Sequence, residues 1–312
     1  MRKSAKRGLP SFSAFNSTTL GNLRVTAHPA NRETESFMTT SAHKHPYKIV
    51  ASDLDGTLLA PNHQLSEFSK QTLKQLHDKG FTFIFATGRH HIDVAGIREI
   101  AGIPAYMITS NGARVHDQND QLMYSKNVPQ DLVQAIIDVV KHDKQLFVHL
   151  YRNDEWMLNK EDEILRDFHE DSGFTYRVFD VNNAPTDGIA KIFFTQEDQD
   201  HEHLVQYETL LNQRFGDKLN VAFSTPWCLE VMCAGVSKGD ALQAVAESLH
   251  LGLENCIAFG DGMNDVEMLS MAGKGLVMGT AHEKVFNALP DNEVIGSNAD
   301  DAVAHYLHQH LF

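Results

Sequence analysis

Asp53-Leu54-Asp55-Gly56-Thr57 sets two carboxylates one residue apart, directly behind the apolar run Ile49-Val50-Ala51. Side chains alternate along a strand, so at its end one Asp can turn into a crevice while the next amide and the second Asp wrap around it. Like charges this close raise a pKa unless a cation or a proton-transfer task stabilises them. Asp-Gly-Thr is also ordinary turn vocabulary, and in isolation an Asx turn explains the segment equally well.

Three further segments break the tie. Phe85-Ala86-Thr87-Gly88-Arg89 follows a second apolar strand and leads into a helix, where a hydroxyl and free amides make a small anion site. Val236-Ser237-Lys238-Gly239 opens a later helix. A Lys at a helix start gains nothing from the macrodipole, whereas a phosphate bound there would account for it, with Ser237 as the cap. Phe259-Gly260-Asp261-Gly262-Met263-Asn264-Asp265 runs a strand into a loop with two Asp four apart, able to converge on a hard cation. The loop lacks the alternating ligands and terminal Glu of an EF-hand, and helix capping would use one of its Asp at most.

The elements that must position these residues alternate. Lys48 to Ser52 reads as a buried strand, Leu65, Phe68, Leu73 and Leu76 as a helical stripe, Phe81 to Ala86 as a strand, Ile92 to Ile100 as a helix and Tyr106 to Thr109 as a strand. The alternation resumes with the helical face Ala241, Leu242, Val245, Ala246 and Leu249, the strand Cys256 to Phe259, a short helix Val266 to Met271 and a strand Leu276 to Met278. This predicts an α/β fold with a doubly wound parallel sheet. Only 31 residues separate Asp55 from Thr87, but 150 separate Thr87 from Lys238. An inserted domain therefore falls after Thr87. Its strands, Phe147 to Leu150, Glu155 to Asn159, Ile189 to Thr195 and Leu219 to Phe223, read as amphipathic, with helices near Gln130 to Val140 and Glu202 to Phe215. One wet face per strand predicts an open antiparallel sheet backed by helices, an α+β cap. The expected organisation is an extension over 1–46, a core over 47–114 and 227–312, and a cap over 115–226 that selects the substrate.

Composition excludes several classes. The formal charge of −14 offers no basic field for nucleic acid or an anionic membrane, and no apolar run approaches a membrane span. Cys228, Cys233 and Cys256 are too few for a disulfide scaffold and lack zinc-like spacing. They read as buried thiols in a reducing compartment, hence a cytoplasmic protein. The first 46 residues are rich in Ser, Thr, Asn and Arg without periodicity, and Met38 offers an alternative start. Oligomeric state is not readable.

Together, Asp53-Leu54-Asp55-Gly56-Thr57, Thr87, Lys238 and Gly260-Asp261-Gly262-Met263-Asn264-Asp265 resemble the haloacid dehalogenase superfamily of phosphotransferases. The resemblance covers the chain from about Tyr47 onward. Ser110-Asn111-Gly112-Ala113, Met271-Ala272-Gly273-Lys274-Gly275 and Val277-Met278-Gly279-Thr280-Ala281 point to its Cof-type phosphatases. Asn298-Ala299-Asp300-Asp301-Ala302-Val303 echoes their closing motif, with Asp301-Ala302 where Asp-Gly is more usual, a departure expected to touch a turn. The segments 50–53, 87–91, 224–225 and 228–232 look most like a bacterial branch regarded as pyridoxal phosphate and sugar phosphate phosphatases.

The resemblance implies a phosphatase acting through an aspartyl phosphate on a small phosphorylated metabolite. Asp53 would attack phosphorus; Asp55 would protonate the leaving alcohol and deprotonate the incoming water. Members that keep a long-lived aspartyl phosphate tend to carry Thr at the second position, so Asp55 favours hydrolysis. Mg2+ would be held by the Asp53 carboxylate, the Asp55 carbonyl and Asp261, with Asp265 orienting metal waters or Lys238. Phosphate oxygens would meet the Leu54 amide, Thr87, the Gly88 amide, Lys238 and Asn264. The competing readings are a phosphomutase, disfavoured because mutases of this type carry their cap between the first two motifs, and a non-enzymatic phospho-acceptor, which would be much shorter. Tyr151, Arg152, Trp156 and Lys191 are candidates for choosing the leaving group, but cap core and a solvated strand position explain them better. His90 and His91 are expected on the solvent side of their helix.

Overall fold

A computed structural model describes residues 46–168, 174–196 and 198–312. The first segment runs β1 (Ile49–Ser52), α1 (Glu67–Asp78), β2 (Thr82–Ala86), α2 (His91–Ala101), β3 (Ala105–Thr109), β4 (Arg114–His116) and β5 (Leu122–Ser125). Next come α3 (Gln130–Val140), β6 (Leu146–Arg152), β7 (Glu155–Leu158), α4 (Glu163–Phe168), β8 (Tyr176–Val178), β9 (Ile189–Gln196), α5 (His201–Phe215), β10 (Leu219–Thr225) and β11 (Cys228–Cys233). The chain ends with α6 (Lys238–Ser248), β12 (Cys256–Gly260), α7 (Val266–Met271), β13 (Lys274–Val277), α8 (Glu283–Ala288), β14 (Glu293–Val294) and α9 (Ala302–Leu311). The expected extension over 1–46 lies almost wholly outside the described residues, as does Met38.

The first sheet has the order β14-β13-β12-β1-β2-β3-β4-β5, parallel from β14 to β3 and closed by an antiparallel hairpin. Strand period explains its two faces. Val50, Phe83, Phe85, Met107, Ile257 and Phe259 point to one side with Leu73 and Leu76 of α1 and Val303 and Leu307 of α9. Ile49, Ala51, Ile84, Ala86, Ile108 and Ala258 point to the other, against Ala241, Leu242 and Val245 of α6 and Met268 and Leu269 of α7. Burying Phe83, Phe85 and Phe259 contributes roughly 1.5–3 kcal/mol each. Local stops are supplied as the composition suggests: Ser66 caps α1 through Ser69 N at 2.9 Å, and Gly80 follows that helix at φ 82°. Asp301 takes the left-handed turn before α9, at φ 52°.

The second sheet, β10-β11-β9-β6-β7-β8, is antiparallel except for its β7–β8 pair. Val148, Leu150, Ile192, Phe194, Leu229 and Val231 bury α3 and α5 on one face. The opposite face is not wet, as alternation suggested: Phe147, His149, Lys191 and Phe193 are all buried there. Phe147 and His149 pack with Trp156, and Lys191 reaches the loop after β2. Sheet pairing also moves the expected boundaries. The hairpin β4–β5 extends the first sheet, so the insertion starts beyond 125, and β11 belongs to the second sheet, so it ends beyond 226. Among the described residues no helix is long and apolar enough to cross a membrane.

Candidate active site

Parallel strands bring their carboxyl ends to one edge, where ligands bind in open α/β sheets. β1 lies between β12 and β2, so the loops after these three strands meet. Asp53 follows β1, its amide bonded to Phe259 O at 3.0 Å. Lys238, fully buried at the start of α6, donates to Asp53 Oδ1 at 2.7 Å and Asp265 Oδ1 at 2.6 Å. Ser237 caps that helix as expected, accepting from Asp240 N at 3.1 Å.

The loop after β12 is folded on Asp265, whose Oδ2 accepts from Asp261 N at 3.0 Å and Gly262 N at 2.8 Å. Thr57 donates to Asp261 Oδ1 at 2.9 Å. Gly56, at φ 84°, lets the two loops touch: a Cβ there would lie 2.4 Å from Asp261 Oδ2. Carboxylate oxygens of Asp53, Asp261 and Asp265 fall within 4.8 Å of one another, a grouping that could hold a metal ion. Both Asp265 oxygens are already engaged, so Asp53 and Asp261 have the greater freedom to ligate. Around the cavity, the carboxylates of Asp53, Asp55, Glu230, Asp261 and Asp265 face three cations, Arg89, Lys191 and Lys238, an excess of two negative charges.

Burial first, and then the neighbouring Asp265, push Asp261 up to about 6. Burial also holds Asp53 well above the ordinary carboxylate value, opposed by Lys238 and helped by Asp265, Asp261 and Asp55. Crowded, partly uncompensated carboxylates of this kind suit a divalent cation with oxygen ligands.

Asp55 has a different environment. Arg89 grips it with Nε to Oδ2 at 2.7 Å and Nη2 to Oδ1 at 2.6 Å, and His63 Nδ1 lies 3.0 Å from Oδ1. Burial works to raise Asp55, but these hydrogen bonds and charges outweigh it and hold the group below its ordinary value. Thr87 is buried after β2, and its Oγ1 accepts from Arg89 N at 3.2 Å. The helix expected at this point begins at His91, with His90 as its cap.

The structure thus brings Asp53, Asp55, Thr87, Gly88, Asp261, Asn264 and Asp265 around one cavity of about 810 Å³, with Lys238 bonded beneath it. The Leu54 side chain packs into the core next to them. Asn264 Nδ2 donates to Asn111 Oδ1 at 3.0 Å. Ser110 and Asn111 are both left-handed, at φ 48° and 55°, a strain of roughly 1–3 kcal/mol per residue that the surrounding contacts must hold. Gly112 closes this turn against α6, where a Cβ would meet Ser237 O at 2.1 Å.

Two expectations change. Lys191 is not solvated: it is buried, donating to Glu230 Oε1 at 2.6 Å and to Gly88 O at 2.7 Å. Nor do His90 and His91 face solvent. His90 is buried, its Nε2 donating to Asn153 O at 3.0 Å while Nδ1 accepts from Ile92 N at 3.3 Å. His91 lies between His90, tilted at 4.3 Å, and His116, stacked at 4.4 Å between ring centroids. Arg89, Asn111 and Glu230 join the site without having been singled out for it from sequence. A lone Glu in Cys228-Leu229-Glu230-Val231-Met232 and a lone Lys in Ile189-Ala190-Lys191-Ile192-Phe193 are the available signs, since a charge inside an apolar strand is costly unless paired. Cys228 and Cys233 are half-buried and Cys256 buried, all three unbridged.

The tyrosine and phenylalanine rings of the second sheet form the cavity's far wall. Tyr151 meets Phe193 edge to face at 4.9 Å, and His149 stacks on Phe193 at 4.2 Å and 13°. Lys191 Nζ lies over both, 5.1 Å from Tyr151 and 4.8 Å from Phe193. Trp227 stands at the rim, 42% exposed.

Residues 50–307 match the model of a family described as haloacid dehalogenase-like hydrolases. A Haemophilus influenzae protein named as a phosphatase, without a stated substrate, is 45% identical over 263 residues, covering 84% of this chain and 96% of its own. An HMP-PP phosphatase of Cronobacter sakazakii is 38% identical over 269 residues, covering 85% and 97%. Among solved structures, a haloacid dehalogenase-like hydrolase from Bacteroides thetaiotaomicron superposes with a TM-score of 0.74 at 25% identity, over 84% of this chain and 99% of that one. With its parallel sheet, its convergent loops and a match over most of its length, the chain belongs to the haloacid dehalogenase-like hydrolases, as a phosphatase.

Proposed function

We propose that the chain hydrolyses a small phosphomonoester through an aspartyl phosphate on Asp53, with Mg2+ as cofactor. The observation that carries this is Asp53 at the cavity floor, held by buried Lys238 while Asp55, two residues on, is held separately by Arg89. The Asp53 carboxylate attacks phosphorus as the ester oxygen leaves, and water then cleaves the acyl phosphate and restores the carboxylate. Asp55 gives the leaving oxygen its proton and takes one from the water. For the first of these tasks Asp55 must leave Arg89, and a phosphate that draws Arg89 to itself releases it. Thr87, the Gly88 amide, the Leu54 amide, Asn264 and Lys238 hold phosphoryl oxygens. The Asp53 carboxylate, the Asp55 carbonyl and Asp261 would hold the metal, which supplies charge neutralisation for the transferring group. The two excess negative charges of the site support that assignment.

The ring-lined wall supports a planar aromatic leaving group, such as that of pyridoxal phosphate, over a hexose phosphate. Tyr151 and Phe193 give the cavity an aromatic wall against which a flat ring can pack. HMP-PP, the substrate in the name of 38%-identical relatives, belongs in the same comparison. Phosphate release with Mg2+ is to be measured on pyridoxal phosphate, HMP-PP, hexose phosphates, nucleotides and p-nitrophenyl phosphate. The expected order places the ring phosphates highest in kcat/KM; equal values throughout would defeat the substrate reading. Near-normal turnover by Asp53→Ala would defeat the nucleophile.

A further inference from the structure

Lys191 and Glu230 are buried opposite charges on β9 and β11 of the second sheet, yet their hydrogen bonds lead into the first. Lys191 Nζ donates to Gly88 O at 2.7 Å. That carbonyl belongs to the peptide whose other end is Arg89 N, which donates to Thr87 Oγ1 at 3.2 Å. One rigid peptide plane thus separates the ammonium of the second sheet from the Thr87 hydroxyl. Glu230 supplies the other arm. Its Oε2 accepts from Asn111 Nδ2, and Asn111 Oδ1 accepts from Asn264 Nδ2 at 3.0 Å. Asn111 also ties back to the first arm, donating its backbone N–H to Thr87 O at 3.0 Å. A Cβ on Gly88 would come within 2.8 Å of Asn111 Oδ1, so the two arms lie side by side with no slack.

We propose that Lys191, Glu230 and Asn111 are positioning residues that couple the seating of the inserted sheet to the geometry of the phosphate-binding groups. None of the three needs to touch the reacting atoms. When the sheet sits down, Lys191 sets the Gly88–Arg89 peptide and Glu230 sets Asn111, which sets Asn264. When it lifts, both arms are released together, so the phosphate groups are correctly placed only beneath a seated sheet. This rests on the assignment of Thr87, Gly88 and Asn264 to phosphate.

The discriminating variant is Lys191→Met combined with Glu230→Leu, which removes both buried charges at similar volume. If the pair served folding alone, exchanging both for apolar side chains would leave activity near wild type. The coupling predicts a folded protein, by circular dichroism and thermal unfolding, with kcat/KM for p-nitrophenyl phosphate reduced roughly 10- to 100-fold. The inhibition constant of inorganic phosphate should rise about 10-fold over the same comparison, a change that a purely structural role would not produce. A folded double variant that falls clearly short of tenfold on either measure overturns the proposal. Should the double variant fail to fold, Glu230→Gln, of equal size, is judged by the same two measures and the same limits. Wild-type protein that releases no phosphate, or phosphate inhibition left unaltered by Thr87→Ala, would instead overturn the phosphate-site reading, so the two failures are separable.

Discussion

Lys238→Met isolates the charge on which the site rests. The ammonium is fully buried and bonds to Asp53 at 2.7 Å and Asp265 at 2.6 Å. Methionine keeps most of the stem and removes the charge, leaving two buried carboxylates with no cation between them. Removing one partner from a buried ionic cluster costs about 3–5 kcal/mol. Asp53, already raised by burial, loses Lys238, the group that lowers it, and must rise further. A carboxylate raised in the folded state binds more protons folded than unfolded, so its contribution to stability improves as pH falls and worsens as pH rises. The deficit against wild type is therefore expected in full at pH 8 and reduced at pH 5. Urea unfolding at the two pH values measures it. The excess negative charge grows from two to three, so added Mg2+ should stabilise the variant more than the wild type, while activity falls by roughly 10²- to 10³-fold. A deficit below about 1 kcal/mol at pH 8, or the same deficit at both pH values, refutes Lys238 as the essential counter-charge.

Arg89→Met removes the bidentate hold on Asp55, whose pKa must then rise. The basic limb of the kcat/KM profile for an alkyl phosphate is expected to move to higher pH, and an unmoved limb would show that Arg89 does not govern Asp55. Gly56→Ala places a methyl 2.4 Å from Asp261 Oδ2 at a left-handed φ of 84°, so activity and Mg2+ affinity should fall together; titration calorimetry with Mg2+ showing unchanged affinity would count against Asp261 as a ligand. Burial, followed by neighbouring charge, lowers His90 to about 3 and His116 to about 4. Their folded values lie below the unfolded value of about 6.5, so stability is complete above that pH and is lost as pH falls toward 4. His116→Phe should reduce proton uptake on unfolding by roughly one between about pH 6.5 and 4.5, measured from the pH dependence of urea midpoints; unchanged uptake would contradict the assignment.

Sequence reveals the fold wherever one element decides its own fate. Runs such as Phe83-Ile84-Phe85 can only be buried, and Lys238 at a helix start points to anionic partners before any contact is known. The shift of the insertion's boundaries has a different origin: β4 and β5 are short, and β5 is mostly exposed, so membership of a sheet is decided by the pairing of β4 with β3 and of β5 with β4 rather than by their own composition. Lys191 and His90 escape a local reading for the same reason. A strand lysine and a helix-start histidine look solvated until distant segments meet: Lys191 finds Glu230 on the neighbouring strand and the Gly88 carbonyl after β2, and His90 finds the Asn153 carbonyl between β6 and β7.

The two aspartates of the opening motif differ because their neighbours differ, although the residues are the same. Asp53 meets a lysine that rises from beneath it and lies among other carboxylates, conditions that would suit its proposed role as nucleophile and call for a second cation. Asp55 meets a planar guanidinium that takes both its oxygens and keeps it ionised. The acid role proposed for Asp55 requires it to leave that grip. The same arginine lines the cavity to which a phosphate would come, so substrate binding and release of the acid compete for one side chain. On the mechanism proposed above, that competition would tie proton delivery to the presence of substrate, and it makes Arg89, rather than either aspartate, the residue whose replacement should separate binding from protonation.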